Sequence, residues 1–118
     1  MPKLKQFNDK EFKINVAGKN IIFANNPASK TYIKNRMDRM LSKEPETIKW
    51  INGFDKTSVF FDIGANIGIY SLYSAIVKEN SVYAFEPHAA SYKNLIESIN
   101  LNKLQNCNAH CIAMGDKL

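Results

Sequence analysis

The sequence predicts an α/β chain: a Rossmann-like, doubly wound parallel sheet that stops after its third strand, preceded by a β-hairpin and helices. Three observations carry that prediction. An apolar run, Val59-Phe60-Phe61, ends in Asp62 and a loop with glycine at 64 and 68. From residue 58 onward, strand-like and helix-like segments alternate strictly, which is the pattern of a parallel sheet with crossover helices. Before residue 57 the pattern is different, with period-two alternation first and helical spacing after it. The chain therefore divides at 1–56, a hairpin and helical segment that covers the sheet, and 57–118, the first half of a nucleotide-binding domain.

Phe12-Lys13-Ile14-Asn15-Val16 alternates apolar and polar residues. Ile21-Ile22-Phe23-Ala24 is apolar and rich in β-branched residues. The turn-prone Gly18-Lys19-Asn20 between them predicts a β-hairpin, ended by Asn25-Asn26-Pro27. Tyr32, Ile33, Met37, Met40 and Leu41 recur at helical spacing and predict a helix from about Ser29 to Leu41. A short second helix begins near Pro45, which suits a first turn, and Asn52-Gly53 stops it.

The first parallel strand is Val59–Asp62, and its helix runs from about Ile67 to Lys78, with Leu72, Tyr73, Ile76 and Val77 inward. Asn80 is its stop signal. The second strand is Ser81–Glu86, ended by Pro87, which cannot donate to a ladder. The second helix spans about Ala89–Asn100, with Tyr92, Leu95, Ile96 and Ile99 on one face, and a third strand runs from Cys107 to about Ala113. Right-handed crossovers put both helices on the same side of the sheet. The opposite side is then apolar and uncovered unless the N-terminal helices reach it, so the chain reads as a fragment or a truncated product.

Composition narrows the function classes. Apolar residues make up 45% and charged residues 23%, ordinary for a soluble globular protein. No apolar run approaches the roughly 20 residues of a membrane span. The N-terminus lacks the apolar stretch of a secretory signal, so the cytoplasm is the expected location. The formal charge of +5 is uneven: residues 1–58 hold twelve Lys/Arg and six Asp/Glu, and residues 59–118 hold four and five. The basic half lacks an arginine cluster or an aromatic-interleaved stripe, so nucleic acid is not an expected partner. Cys107, His110 and Cys111 offer three soft ligands. On a strand, however, neighbours point to opposite sides and do not converge on one metal, so no metal site is expected.

The glycine loop selects the ligand. A dinucleotide corner takes Gly-x-Gly-x-x-Gly, so that backbone amides approach a pyrophosphate. Here the loop is Asp62-x-Gly64-Ala65-Asn66-x-Gly68, with asparagine at the middle glycine position and a carboxylate at the strand end. A carboxylate repels a pyrophosphate and attracts a cation. S-adenosylmethionine carries an ammonium and a sulfonium and no phosphate, so it suits Asp62 better than NAD does. Glu86 ends the next strand, 18 residues past Gly68, where a carboxylate can accept from both hydroxyls of a ribose.

The stretches Phe61–Ser71, Val82–His88, Leu95–Asn102 and Ala113–Asp116 together resemble the FkbM-type methyltransferase family, over about residues 44–118. The resemblance implies a class I, Rossmann-like methyltransferase fold that uses S-adenosylmethionine. It also implies O-methylation of a hydroxyl on a sugar, polysaccharide or natural product, hence a small-molecule or glycan acceptor. By position, Asp62, Gly64, Ala65, Asn66 and Gly68 would hold the methionine end of the cofactor. Glu86 would hold the ribose diol, Pro87 and His88 would flank the adenosine, and Asp116 would approach the adenine amino group. Ser71 reads as packing. The family's Asp-Val-Glu-Gly-like fourth-strand segment is missing from residues 1–118. No catalytic base is therefore assigned; His88 and His110 qualify by chemistry alone. The competing readings are a non-catalytic cofactor-binding or interaction module and an NAD-dependent enzyme, the latter disfavoured by Asp62 and Asn66.

Overall fold

The computed structural model describes residues 5–8, 11–26, 35 and 45–116. The expected helix at about Ser29–Leu41 lies outside the described residues apart from Asn35, which is helical. Three strands, β1 (Lys5–Asn8), β2 (Glu11–Val16) and β3 (Lys19–Ala24), form an antiparallel sheet in the order β1-β2-β3. The expected hairpin is β2–β3, paired from Glu11↔Ala24 to Val16↔Lys19. The turn is left-handed at both corners, with Ala17 at φ 52° and Gly18 at φ 78°. β1 was not expected; Lys5-Gln6-Phe7-Asn8 has no apolar alternation, and it pairs as an edge strand through an irregular register.

The second half begins with helix α1 (Pro45–Asn52) and continues as β4 (Val59–Ile63), α2 (Ile69–Val77), β5 (Ser81–Phe85), α3 (Ala89–Leu101) and β6 (Cys107–His110). β4, β5 and β6 form a parallel sheet in that order, with Val59 opposite Ser81 and Val82 opposite Cys107. This is the expected truncated Rossmann-like half-sheet. Element boundaries moved by a few residues. The third strand ends at His110 rather than Ala113, and α2 starts at Ile69 because Gly68, at φ 89°, stands outside the helical region.

Burial separates the two sides of the parallel sheet. Phe60, Asp62, Val82, Ala84 and Cys107 are buried on the side that carries the helices. Their alternating neighbours Val59, Phe61 and Ile63 are 54%, 61% and 62% exposed. Parallel sheets are ordinarily covered on both sides, so this side of the described fold is an uncovered apolar surface. On the helical side, Phe12, Ile14, Ile21 and Phe23 of the hairpin share one core with Ile51, Leu72, Val82 and Leu95. Each such side chain contributes on the order of 1.5–3 kcal/mol by leaving water.

Helix α3 also closes the open edge of β3. Asn102 donates from Nδ2 to the Ile22 carbonyl at 2.6 Å and accepts the Ile22 N–H at 2.9 Å. Ser98 Oγ accepts the Ala24 N–H at 2.9 Å, and Asn94 Oδ1 accepts the Asn26 N–H at 3.3 Å. The three residues lie four apart and form one helical stripe. They meet alternate residues, Ile22 and Ala24 of β3 and Asn26 just beyond it, satisfying backbone groups that an open edge would leave to solvent. Asn80, at the end of α2, is fully buried: it donates to the Asp55 carbonyl at 2.6 Å and accepts from Ser74 Oγ at 3.0 Å. These contacts fix α2, α3 and the hairpin against the strands, and so fix the loop after β4.

Candidate functional site

The loop from Asp62 to Gly68 leaves the carboxyl end of β4 and is held by the end of β5. Gly64 and Ala65 donate their backbone N–H groups to the Phe85 carbonyl at 2.8 and 3.0 Å. Gly68 closes a turn onto the Ala65 carbonyl at 2.9 Å. Gly64, Asn66 and Gly68 all have positive φ, at 75°, 58° and 89°. A Cβ at Gly68 would stand 2.2 Å from Leu95 Cδ1, so that glycine is required both by its backbone angle and by α3. At Gly64 a Cβ would meet nothing within 4 Å, so the requirement there is the backbone angle alone.

Glu86 is the clamp. It is buried, and its two carboxylate oxygens take different partners: Oε1 accepts the Asn66 N–H and Oε2 accepts the His88 N–H, both at 2.8 Å. The Glu86 N–H itself pairs with the His110 carbonyl at 3.0 Å. One side chain thus ties the glycine loop to the turn that opens α3. Each oxygen keeps a further lone-pair direction for an incoming hydroxyl.

Asp62 is also buried, and its Oδ2 accepts the Ser71 hydroxyl at 2.6 Å. Burial raises its carboxyl above the usual range; hydrogen bonds from the side chain and backbone of Ser71 oppose that, and the nearby Glu86 charge adds to it. Cys107, on β6, is pushed up to about 12 by burial and by the charge of Asp62, and is a neutral thiol. Among the described residues the ion pair is Lys56–Glu79 at 3.3 Å; no lysine or arginine pairs with Asp62 or Glu86. The strand ends therefore present two buried carboxylates and no compensating cation among the described residues. That arrangement repels a pyrophosphate and favours a ligand with a positive charge.

The structure brings Asp62, Gly64, Ala65, Asn66, Gly68 and Glu86 together, with Pro87 following Glu86 at the rim. Asp116 lies exposed beyond the end of β6, and no hydrogen bond links its side chain to the loop. His88 is the N-cap of α3, with Nδ1 accepting the Ser91 N–H at 3.4 Å. His110 is exposed and stacks on Phe85 at 5.5 Å between ring centroids. Cys107 lies on the buried side of the sheet and Cys111 is exposed. Two roles escaped sequence reasoning. Ser71 touches Asp62 rather than only filling space; the signal was a lone serine, nine residues past the aspartate, in the otherwise apolar first turn of a buried helix. The Glu86 clamp involves backbone N–H groups, which no side-chain pattern encodes.

No family model and no curated protein sequence matches the chain. Solved structures do match. TYW2 from M. jannaschii, in complex with AdoMet, superposes with a TM-score of 0.60 at 24% identity, over 91% of this chain and 45% of that one. TYW2 from P. horikoshii, in complex with MeSAdo, gives 0.59 at 20% identity, over 94% and 39%. The T. thermophilus 16S rRNA N2 G1207 methyltransferase RsmC, in complex with AdoMet and guanosine, gives 0.56 at 19% identity, over 87% and 27%. These likenesses establish the fold alone: a Rossmann-like half-sheet with crossover helices. The chain spans less than half the length of each of these proteins. One expectation is overturned. The small-molecule or glycan acceptor and the exclusion of nucleic acid do not stand, because a protein with this fold is an rRNA methyltransferase holding guanosine. The exclusion rested on the charge pattern of this chain, which corresponds to 27% of that protein's length. Charge in so small a part does not decide what the remainder holds.

Proposed function

We propose that the chain is the cofactor-binding half of an S-adenosylmethionine-dependent methyltransferase. The observation that carries this reading is the pair of buried carboxylates, Asp62 and Glu86, at adjacent parallel strand ends around a glycine-bearing loop, with no lysine or arginine paired to either among the described residues. In this assignment Asp62 receives the ammonium of the methionine end. Gly64, Ala65, Asn66 and Gly68 shape the loop around it. Glu86 accepts from the ribose hydroxyls with the lone pairs its backbone partners leave, and Pro87 and Asp116 border the adenosine. The donor set fits the group: buried carboxylates for a cation and a diol. When bound, S-adenosylmethionine supplies an electrophilic sulfonium methyl to an acceptor nucleophile.

The protein's own part is to bind and orient. Glu86 holds the loop before any ligand arrives, so little ordering remains at binding. The likeness to an rRNA methyltransferase supports an RNA nucleoside as acceptor. The acceptor-binding groups and any base belong, on this reading, to a larger protein. Isothermal calorimetry with S-adenosylmethionine and with NAD tests the assignment. Binding of S-adenosylmethionine and not NAD is expected; binding of NAD alone would overturn it.

A further inference from the structure

Resting on the cofactor reading above, we propose that Ser71 is a positioning residue whose hydroxyl aims the Asp62 carboxyl group at the ligand's ammonium group. Ser71 sits in the first turn of α2 and is fully buried. Its hydroxyl donates to Asp62 Oδ2 at 2.6 Å, the short distance of a charge-assisted bond. A buried serine with no such partner would satisfy itself on its own helix, as Ser98 does on the Asn94 carbonyl at 3.0 Å. Ser71 instead reaches across to the strand end.

Asp62 needs that support. Burial disfavours its charged form, and the groups facing it do not help. Glu86, from the end of β5, repels it. Cys107, from β6, is a neutral thiol. Ser71, from α2, supplies the hydrogen bonds that oppose the desolvation. A protonated Asp62 would offer no charge to an ammonium group. It could also rotate to donate elsewhere, losing both the charge and the direction of the contact. The hydroxyl therefore favours the charged form and fixes the orientation of the residue that meets the ligand's cation, through its hydrogen bond to Asp62.

The test compares two nucleosides on the 118-residue chain. S-adenosylhomocysteine carries the ammonium; 5′-methylthioadenosine keeps the adenosine and lacks it. Affinities are measured by calorimetry for the wild type, Ser71→Ala and Ser71→Thr at about pH 5 and about pH 8, because a hydrogen bond that favours the ionised carboxyl matters more as pH falls. Ser71→Ala should weaken S-adenosylhomocysteine by roughly tenfold at the lower pH, the loss expected for one charge-assisted hydrogen bond, and by less at the higher pH. Binding of 5′-methylthioadenosine should be unchanged at both, which also shows that the variant folds. Ser71→Thr, which keeps the hydroxyl, should restore the wild-type pH profile. Equal losses for both nucleosides at both pH values, or no loss for either, would overturn the inference and leave the cofactor reading standing. Failure of the wild type to bind either nucleoside would overturn the cofactor reading itself.

Discussion

Replacing Glu86 with glutamine separates the two tasks assigned to that side chain. In the native chain each carboxylate oxygen accepts one backbone N–H at 2.8 Å, from Asn66 and from His88. Glutamine keeps one acceptor oxygen and puts an amide NH2 where the other stood. One clamp bond is therefore lost outright, and a donor then faces a donor. A hydrogen bond to a buried charged group contributes about 1.5–3 kcal/mol, and an unsatisfied buried donor adds a cost of similar size. Against this, the substitution removes the repulsion between Glu86 and Asp62. The expected net loss of stability is about 2–3 kcal/mol. Denaturation in urea, followed by far-UV circular dichroism, measures it directly. The same variant should bind S-adenosylhomocysteine about ten- to a hundredfold more weakly, because the ribose diol meets one acceptor instead of two. The two readouts fail independently. Unchanged stability would refute the clamp, and unchanged affinity would remove Glu86 from the ribose contact.

Other substitutions probe the frame of the site. Gly68→Ala should cost about 2–4 kcal/mol, combining a positive φ with a Cβ 2.2 Å from Leu95 Cδ1; denaturation midpoints would show it, and a Leu95→Ala background should reduce the increment. Asn102→Ala strips the Ile22 N–H and carbonyl of their helix partner; a loss of about 1–3 kcal/mol is expected, with faster amide exchange at Ile22 than at Ile21 as the local signature. Asp62 makes stability depend on pH with a defined sign. Burial raises its folded value above the unfolded one, so the native state holds the proton more tightly. The resulting stability is full below the unfolded value and is lost as pH rises through the folded one; Asp62→Asn should flatten that slope in urea titrations across about pH 3 to pH 8.

Much of the fold was legible because two independent periodicities agreed with the turn chemistry. Val82 and Ala84 alternate with Tyr83 in β5, and Tyr92, Leu95, Ile96 and Ile99 fall on one stripe of α3. The hairpin followed from Gly18 at a position that needs positive φ. β1 was not legible, since an edge strand with polar residues carries no alternation to read. The start of α2 was displaced because the apolar pattern runs through Ile67, whereas the backbone angle at Gly68 delays the helix. The uncovered side of the sheet followed from chirality, and its exposed Phe61 and Ile63 are its structural expression. Within the site, residue types and spacing pointed to Asp62, the loop and Glu86. The sequence did not disclose that Glu86 is already engaged by two backbone N–H groups, nor that Ser71 reaches Asp62. Both depend on the loop's positive-φ path, which folds residues 62–71 back on themselves. The exclusion of nucleic acid failed for a different reason, because charge composition describes a surface rather than a site; the glycan acceptor came from the family resemblance.

On the proposed reading, a nucleoside with a charged amino-acid tail seats between Asp62 and Glu86. The most direct measurement is a two-dimensional amide NMR titration of the isotope-labelled chain with S-adenosylhomocysteine. On that reading, saturable shifts concentrated at Gly64, Asn66, Gly68, Glu86 and His88 are expected. Shifts absent from those amides, or gathered instead around the cavity lined by Asn20, Ile76, Asn102 and Asn106 at the opposite ends of the strands, would contradict it.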